Sequence, residues 1–218
     1  MTPLHIVAEM ESRLILPPEG IHLDALLMAA VARRDDAPPL YTQADALNAQ
    51  PLDIPIALSD CGRYYLATTS MQHVSEREHR WLNRRFPLGE AIALGGPTVK
   101  RIQLSEGSCK AYRIPVETVH VAELHWYAVG DADGVRRLLD LVSRLGRRRG
   151  VGEGTVLRWR VEELDEVWDG FPALSADGAA MRHLPLDVEG LRDYAVRIGC
   201  VRPPYWARAR EQEVACPP

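Results

Sequence analysis

A strand, a helix and a pair of strands, followed by a strand, a helix and a strand, can be read in order along this chain. That order predicts an α+β fold, a ferredoxin-like βαββαβ unit with a basic segment inserted between its halves. Two further observations support it. Both helical stretches carry apolar residues at helical spacing, and the segments between them are β-rich runs bounded by turn residues.

TPLHIVAEMESRLIL alternates as a first strand and PPEG breaks it. HLDALLMAAVARR follows, with Leu23, Leu26, Leu27, Ala30 and Val31 on one helical face and arginines in the last turn, where they complement the helix dipole. DDAPP closes that helix. DIPIAL and RYYLATTSM then read as two short strands around the turn SDCG. Residues 72–101 are weakly periodic and predict an excursion from the core, the basic insertion. RIQLSEGSCKAYRIPVETVHV predicts a hairpin around EGS, and AELHWYAV is a further β-rich run. DADGVRRLLDLVSRLG places Val135, Leu138, Leu139, Val142 and Leu145 on one helix face, with Gly146 where a C-terminal capping glycine belongs. The last core strand is TVLRWRVEEL. A single domain over 1–218 is expected, with 177–218 wrapping it and AREQEVACPP frayed.

The chain has 218 residues, 46% of them hydrophobic, which is enough for a core without staples. No apolar stretch is long enough to span a bilayer, and the first residues carry acids inside their apolar part, so a cytoplasmic protein without a membrane partner is expected. Cys61, Cys109, Cys200 and Cys216 lie far apart with no CxxC pair, which disfavours a metal site or a disulfide framework. No cofactor motif is present: the loop GRRRGVGEG is neither a GxxxxGK[ST] loop nor a glycine turn opening a helix after a strand.

The net charge is −4, which by itself argues against a polyanionic partner. Its distribution argues the other way. Residues 136–160 hold eight arginines against Asp140 and Glu153, a local charge of +6, and VEELDEVWD then carries five acids. Within the basic stretch, LGRRRGVGEGTVLRWR joins arginines, whose planar forks fit phosphate, to glycines that permit close backbone approach. A solvated basic turn explains the same letters.

The run LGRRRGVGEGTVLRWRVEE resembles the glycine-rich loop of the RAMP superfamily of CRISPR RNA-binding proteins. HWYAVGD (125–131), DGAAMRHLPL (177–186), VRPPYW (201–206) and GIHLDALLMAAV add a similarity to one subgroup, the Cas-five-like RAMP subunit of type IV CRISPR effector complexes. Val151 and Glu153 depart from those relatives, whose loops carry further polar or aromatic residues. The resemblance implies an RRM-like RAMP fold and a non-catalytic subunit that caps the 5′ repeat-derived handle of a crRNA in defence against mobile elements. Its implied partners are the crRNA, the repeating backbone RAMP subunit and the large subunit, with proximity to target DNA left open.

The expected RNA-binding residues are Arg144, Arg147, Arg148 and Arg149, with Gly150, Gly152 and Gly154 shaping the loop. In the insertion, Arg77, Arg80, Arg84 and Arg85 surround Trp81 and suit a single strand whose bases stack while phosphates are tracked. Lys110 and Tyr112 stand beside the predicted hairpin and extend this set. The rival reading is a metal-independent repeat-RNA endonuclease using His22, His120 or His125 as general acid or base, with His22, Tyr112 and Lys110 as one conceivable set. The plain alternative for each lone histidine is a packed or surface residue. VRPPYW, extended and aromatic, suits docking on a neighbour or packing within the chain.

Overall fold

The computed structural model describes residues 1–38, 42–48, 52–84, 89, 110–147 and 152–218. Its element order is β1 (Thr2–Met10), α1 (Leu23–Arg34), α2 (Gln43–Asn48), β2 (Glu76–Arg84), β3 (Tyr112–His120), β4 (Glu123–Gly130), α3 (Ala132–Leu139), β5 (Val156–Glu163), β6 (Ala195–Gly199), a short 3-10 turn (Arg208–Arg210) and β7 (Gln212–Cys216). It is a mixed α and β molecule with antiparallel sheets and few helices, as the α+β expectation requires.

β1 is the central strand of a sheet ordered β4-β1-β5, antiparallel to both neighbours. Strand alternation sends Leu4, Ile6 and Ala8 to one face and His5, Val7 and Glu9 to the other. The first face is the core. There Leu124, Trp126 and Ala128 of β4 and Val161 of β5 meet Leu23, Leu27 and Val31 of α1 and Val135, Leu138 and Leu139 of α3. Trp126 is fully buried, and its indole N–H donates to the Ile21 carbonyl at 2.7 Å, so the ring is buried without an unpaired donor.

The strands expected at 53–58 and 63–71 are replaced by isolated bridges. Ile56, Ala67 and Met71 pair with Gly130, Ala128 and His125 along the outer edge of β4, and Leu58 pairs with Tyr65 within the segment. Local side-chain bonding accounts for the interruption. The Thr68 hydroxyl accepts from the Tyr127 N–H at 3.0 Å, the Ser70 hydroxyl accepts from the Ile21 N–H at 3.0 Å, and the Thr69 hydroxyl donates to the Glu19 carbonyl.

Two other expectations are corrected, and a third gains a strand. The second helix stops at Leu139, and Val142 and Leu145 reach the core from the extended chain beyond it, so Gly146 is not its capping glycine. The predicted excursion contains β2, which pairs with β3 over nine residues each. A two-stranded ribbon lacks a wholly apolar face, which is why its periodicity was weak in sequence. The turn expected at EGS lies outside the described residues. AREQEVACPP is not frayed: β7 pairs with β6, and Val214, Ala215 and Cys216 are buried.

The C-terminal region is fixed to the body by a buried charged node. Arg182 and Asp24 are almost wholly buried, with Arg182 Nη2 3.1 Å from Asp24 Oδ2. Arg182 also donates to the carbonyls of Tyr65, Ala67 and Val201, and the Tyr205 hydroxyl donates to Asp24 at 2.9 Å. Every polar atom of this kind needs such partners once water is excluded. Tyr205 of VRPPYW thus packs within the chain, while Trp206 beside it is exposed.

Candidate nucleic-acid interface

The stem of the arginine–glycine loop is held by backbone bonds to the chain just after β1. Gly154 donates to the Arg13 carbonyl at 2.6 Å, Arg147 to Ile15 at 2.8 Å, and Leu145 to Gly154 at 2.8 Å. The Thr155 N–H donates to the Ser12 hydroxyl at 2.8 Å. Gly154 has φ +76°, and a Cβ there would lie 2.0 Å from the Leu145 carbonyl oxygen. Its glycine is demanded by the loop's own backbone. Gly152, with φ +93° and open space around it, sits at the exposed part of the turn.

Arg144 and Arg147 flank this stem and are exposed. Arg147 lies 3.5 Å from Glu19. Arg148, Arg149 and Gly150 lie outside the described residues.

The β2–β3 ribbon faces the same loop. Arg80 and Leu82 of β2, with Val116 and Thr118 of β3, line a cleft of about 420 Å³ whose other side is Ile15 and Glu153. Arg80 Nη1 is 2.7 Å from Glu153 Oε1. Two stretches selected separately in the sequence are therefore in contact across 73 positions. Trp81, next to Arg80 in β2, alternates to the other face of the ribbon, where it is 54% exposed with the Arg113 guanidinium 4.5 Å from its ring centre.

Other members of the set are dispersed. Arg77 bonds Glu117 at 2.6 Å on the ribbon. Tyr112 opens β3 opposite Arg84, whose side chain, like the whole of Arg85, lies outside the described residues. Lys110 is exposed just before β3. Folding also pairs arginines that the sequence counted as free charge: Arg136 with Asp133, Arg158 with Glu9 and Arg160 with Glu123, each at 2.7 Å.

The three histidines occupy three different environments. His22 precedes α1, buried beneath Tyr205 at 3.9 Å and edge-on to His183 at 4.7 Å, and neither ring nitrogen has a partner. Burial, with Arg182 and His183 nearby, holds its pKa well below the usual value. His120 is exposed at the end of β3, 3.1 Å from the Ser75 hydroxyl. His125 stands on the outer sheet face, 3.2 Å from His5 and 3.5 Å from Glu123. Among the described residues no group of three or more His, Cys, Asp or Glu is placed to hold a metal ion, and no helix is long and apolar enough to cross a membrane.

Sequence reasoning missed Arg182, Asp24 and His5. The one available signal was Asp24, an acid inside the apolar stripe of α1.

The comparison with known families places the chain among type IV CRISPR-associated proteins. The model of the family described as CRISPR type IV associated protein Csf3 matches residues 88–217, more than half of the chain. The chain belongs to that family. The match takes in β3, β4, α3, the arginine–glycine loop and everything to β7, and it leaves β1, α1 and β2 outside. No curated protein matches the chain.

Proposed function

We propose that this protein is a non-catalytic RNA-binding subunit of a type IV CRISPR effector complex, one that caps the 5′ repeat-derived handle of the crRNA and helps assemble the complex. The observation that carries this reading is the meeting of the arginine–glycine loop with the β2–β3 ribbon around one cleft. A loop stem whose described arginines, Arg144 and Arg147, are exposed, beside a ribbon that carries Arg80 on one face and Trp81 with Arg113 on the other, offers phosphate contacts and a stacking surface.

Family membership supports the assembly role, and the edge segment 56–71 supports a ferredoxin-like frame. With that segment counted as the outer strand, the order is edge, β4, β1, β5, with α1 and α3 packed on one face. We read 1–218 as one RAMP domain, with 72–101, which contains β2, as its insertion and 177–218 as a wrap. Partners on this reading are the crRNA, the repeating backbone subunit and the large subunit, in the cytoplasm.

The environment of His22 argues against its use in cleavage. A general base must reach its proton, and His22 is enclosed by Tyr205 and His183. Two experiments test the reading. RNA co-purified with the complex is sequenced; discrete crRNA with a common 5′ end is expected, and random cellular RNA overturns the proposal. Labelled repeat RNA incubated with the pure chain in EDTA stays intact. A single discrete cut, lost in His22→Ala, His120→Ala or His125→Ala, establishes the nuclease instead.

A further inference from the structure

The Arg80–Glu153 pair crosses the cleft between the ribbon and the loop. Glu153 is 14% exposed and Arg80 49% exposed, so the pair is partly withdrawn from water on its acidic side. A second ion pair, Arg13 with Glu78, continues the chain of charge on the ribbon, and Glu78 lies 3.8 Å from Arg80. Behind Arg80 the walls are Ile15, Leu82 and Val116, and the volume of about 420 Å³ falls in the range of small-molecule sites.

We propose that this cleft seats one unstacked nucleobase of a single-stranded RNA, and that the Arg80–Glu153 pair is an acidic latch which the strand displaces. This rests on the RNA-binding reading and adds to it a ligand subsite and its gate. A nucleotide is the ligand able to replace both halves of the pair at once. Its phosphate takes the guanidinium in a charge-assisted, bidentate contact. Each of the four bases carries an N–H on its pairing edge, which the released carboxylate accepts. The apolar walls of Ile15, Leu82 and Val116 receive the base face.

The full chain and its Glu153→Gln, Arg80→Gln and doubly substituted forms are titrated with eight-residue oligouridylate across a salt series. Gln keeps an acceptor for the base and removes the competing charge. Glu153→Gln tightens binding about three- to tenfold and steepens the log–log salt slope by roughly 0.7, one added phosphate contact. In the Arg80→Gln background the same change moves affinity less than twofold and leaves the slope unaltered. An abasic strand of the same length binds the unmodified chain at least about fivefold more weakly.

The latch is overturned if Glu153→Gln leaves the slope unchanged, if it tightens binding equally without Arg80, or if an oligoglutamate peptide gains as much as RNA. Equal affinity for the abasic strand overturns the base seat. A chain that binds crRNA handle but shows no latch removes this proposal alone, whereas a chain that binds no RNA in any form removes the underlying reading too.

Discussion

His22 shows what one buried side chain does to the whole stability curve. In the unfolded chain it takes up a proton near its ordinary 6.5, while in the folded chain burial and the Arg182 guanidinium hold that uptake to much lower pH. The unfolded state therefore carries more protons below about 6.5, and stability falls as pH drops through that value. His22→Phe keeps a ring on Tyr205 and removes the titration. Denaturant melts at pH 7 and pH 5 are expected to show a smaller loss for this variant than for the unsubstituted chain. Some loss persists, since His5 and His183 are shifted the same way, chiefly by burial. Equal losses contradict the argument. Cys61 gives a second single-residue test: hydrogen bonds from Ser59 and Arg63 bring its thiol down to about 7. Iodoacetamide labelling of this exposed cysteine is expected to rise with a midpoint near that pH, and Ser59→Ala moves the midpoint up; an unmoved midpoint rules out the hydroxyl as its cause.

Among elements, the loop stem and the C-terminal node carry the sharpest energetic contrasts. Gly154→Ala forces a left-handed backbone on a residue whose Cβ meets the Leu145 carbonyl at 2.0 Å, so a cost of about 3 kcal/mol or more is expected. Gly152→Ala, in open space, costs only about 1 kcal/mol. Chemical melts of the two variants separate a structural glycine from a merely permissive one, and equal costs reject the distinction. Arg182→Met leaves Asp24 buried without its cation and is expected to lose about 3–5 kcal/mol, with loosening of β6 and β7 seen by hydrogen exchange. The elements that were legible in sequence are β1, β4, β5 and the start of α3, from their one-sided apolar patterns, and α1, from a long apolar run closed by arginines. β2 was hidden because both faces of a ribbon are largely polar. The edge segment was over-read because Thr68, Thr69 and Ser70 bond to backbone in place of a regular ladder. The glycine loop was legible as a loop, but its neighbour was not, since the contact of Arg80 with Glu153 spans a sequence distance that no local pattern encodes.

For the molecule as a whole, the RNA-binding proposal has to explain how a chain of net charge −4 would attract a polyanion. Folding answers it only in part, because Arg77, Arg80, Arg136, Arg158 and Arg160 are each brought against a carboxylate. The local excess of +6 read along residues 136–160 is thus an upper bound on the field an approaching strand meets. Exposed pairs of this kind contribute little to stability, about 0–1 kcal/mol each, and are screened by salt. Salt should therefore change thermal stability far less than RNA affinity. The acidic run that begins in the last residues of β5 sets the remaining asymmetry. Neutralising Glu163, Asp165 and Glu166 to amides removes repulsion over one side of the molecule without touching the loop or the ribbon. The association rate for oligouridylate is expected to rise several-fold at low ionic strength and to converge with that of the unsubstituted chain near 0.5 M salt, where the screening length falls to a few ångströms. Preference for crRNA handle over unrelated RNA falls at the same time, because approach from the wrong side is no longer opposed. A rate difference that survives high salt assigns the run a contact role, and an unchanged preference removes it from orientation altogether.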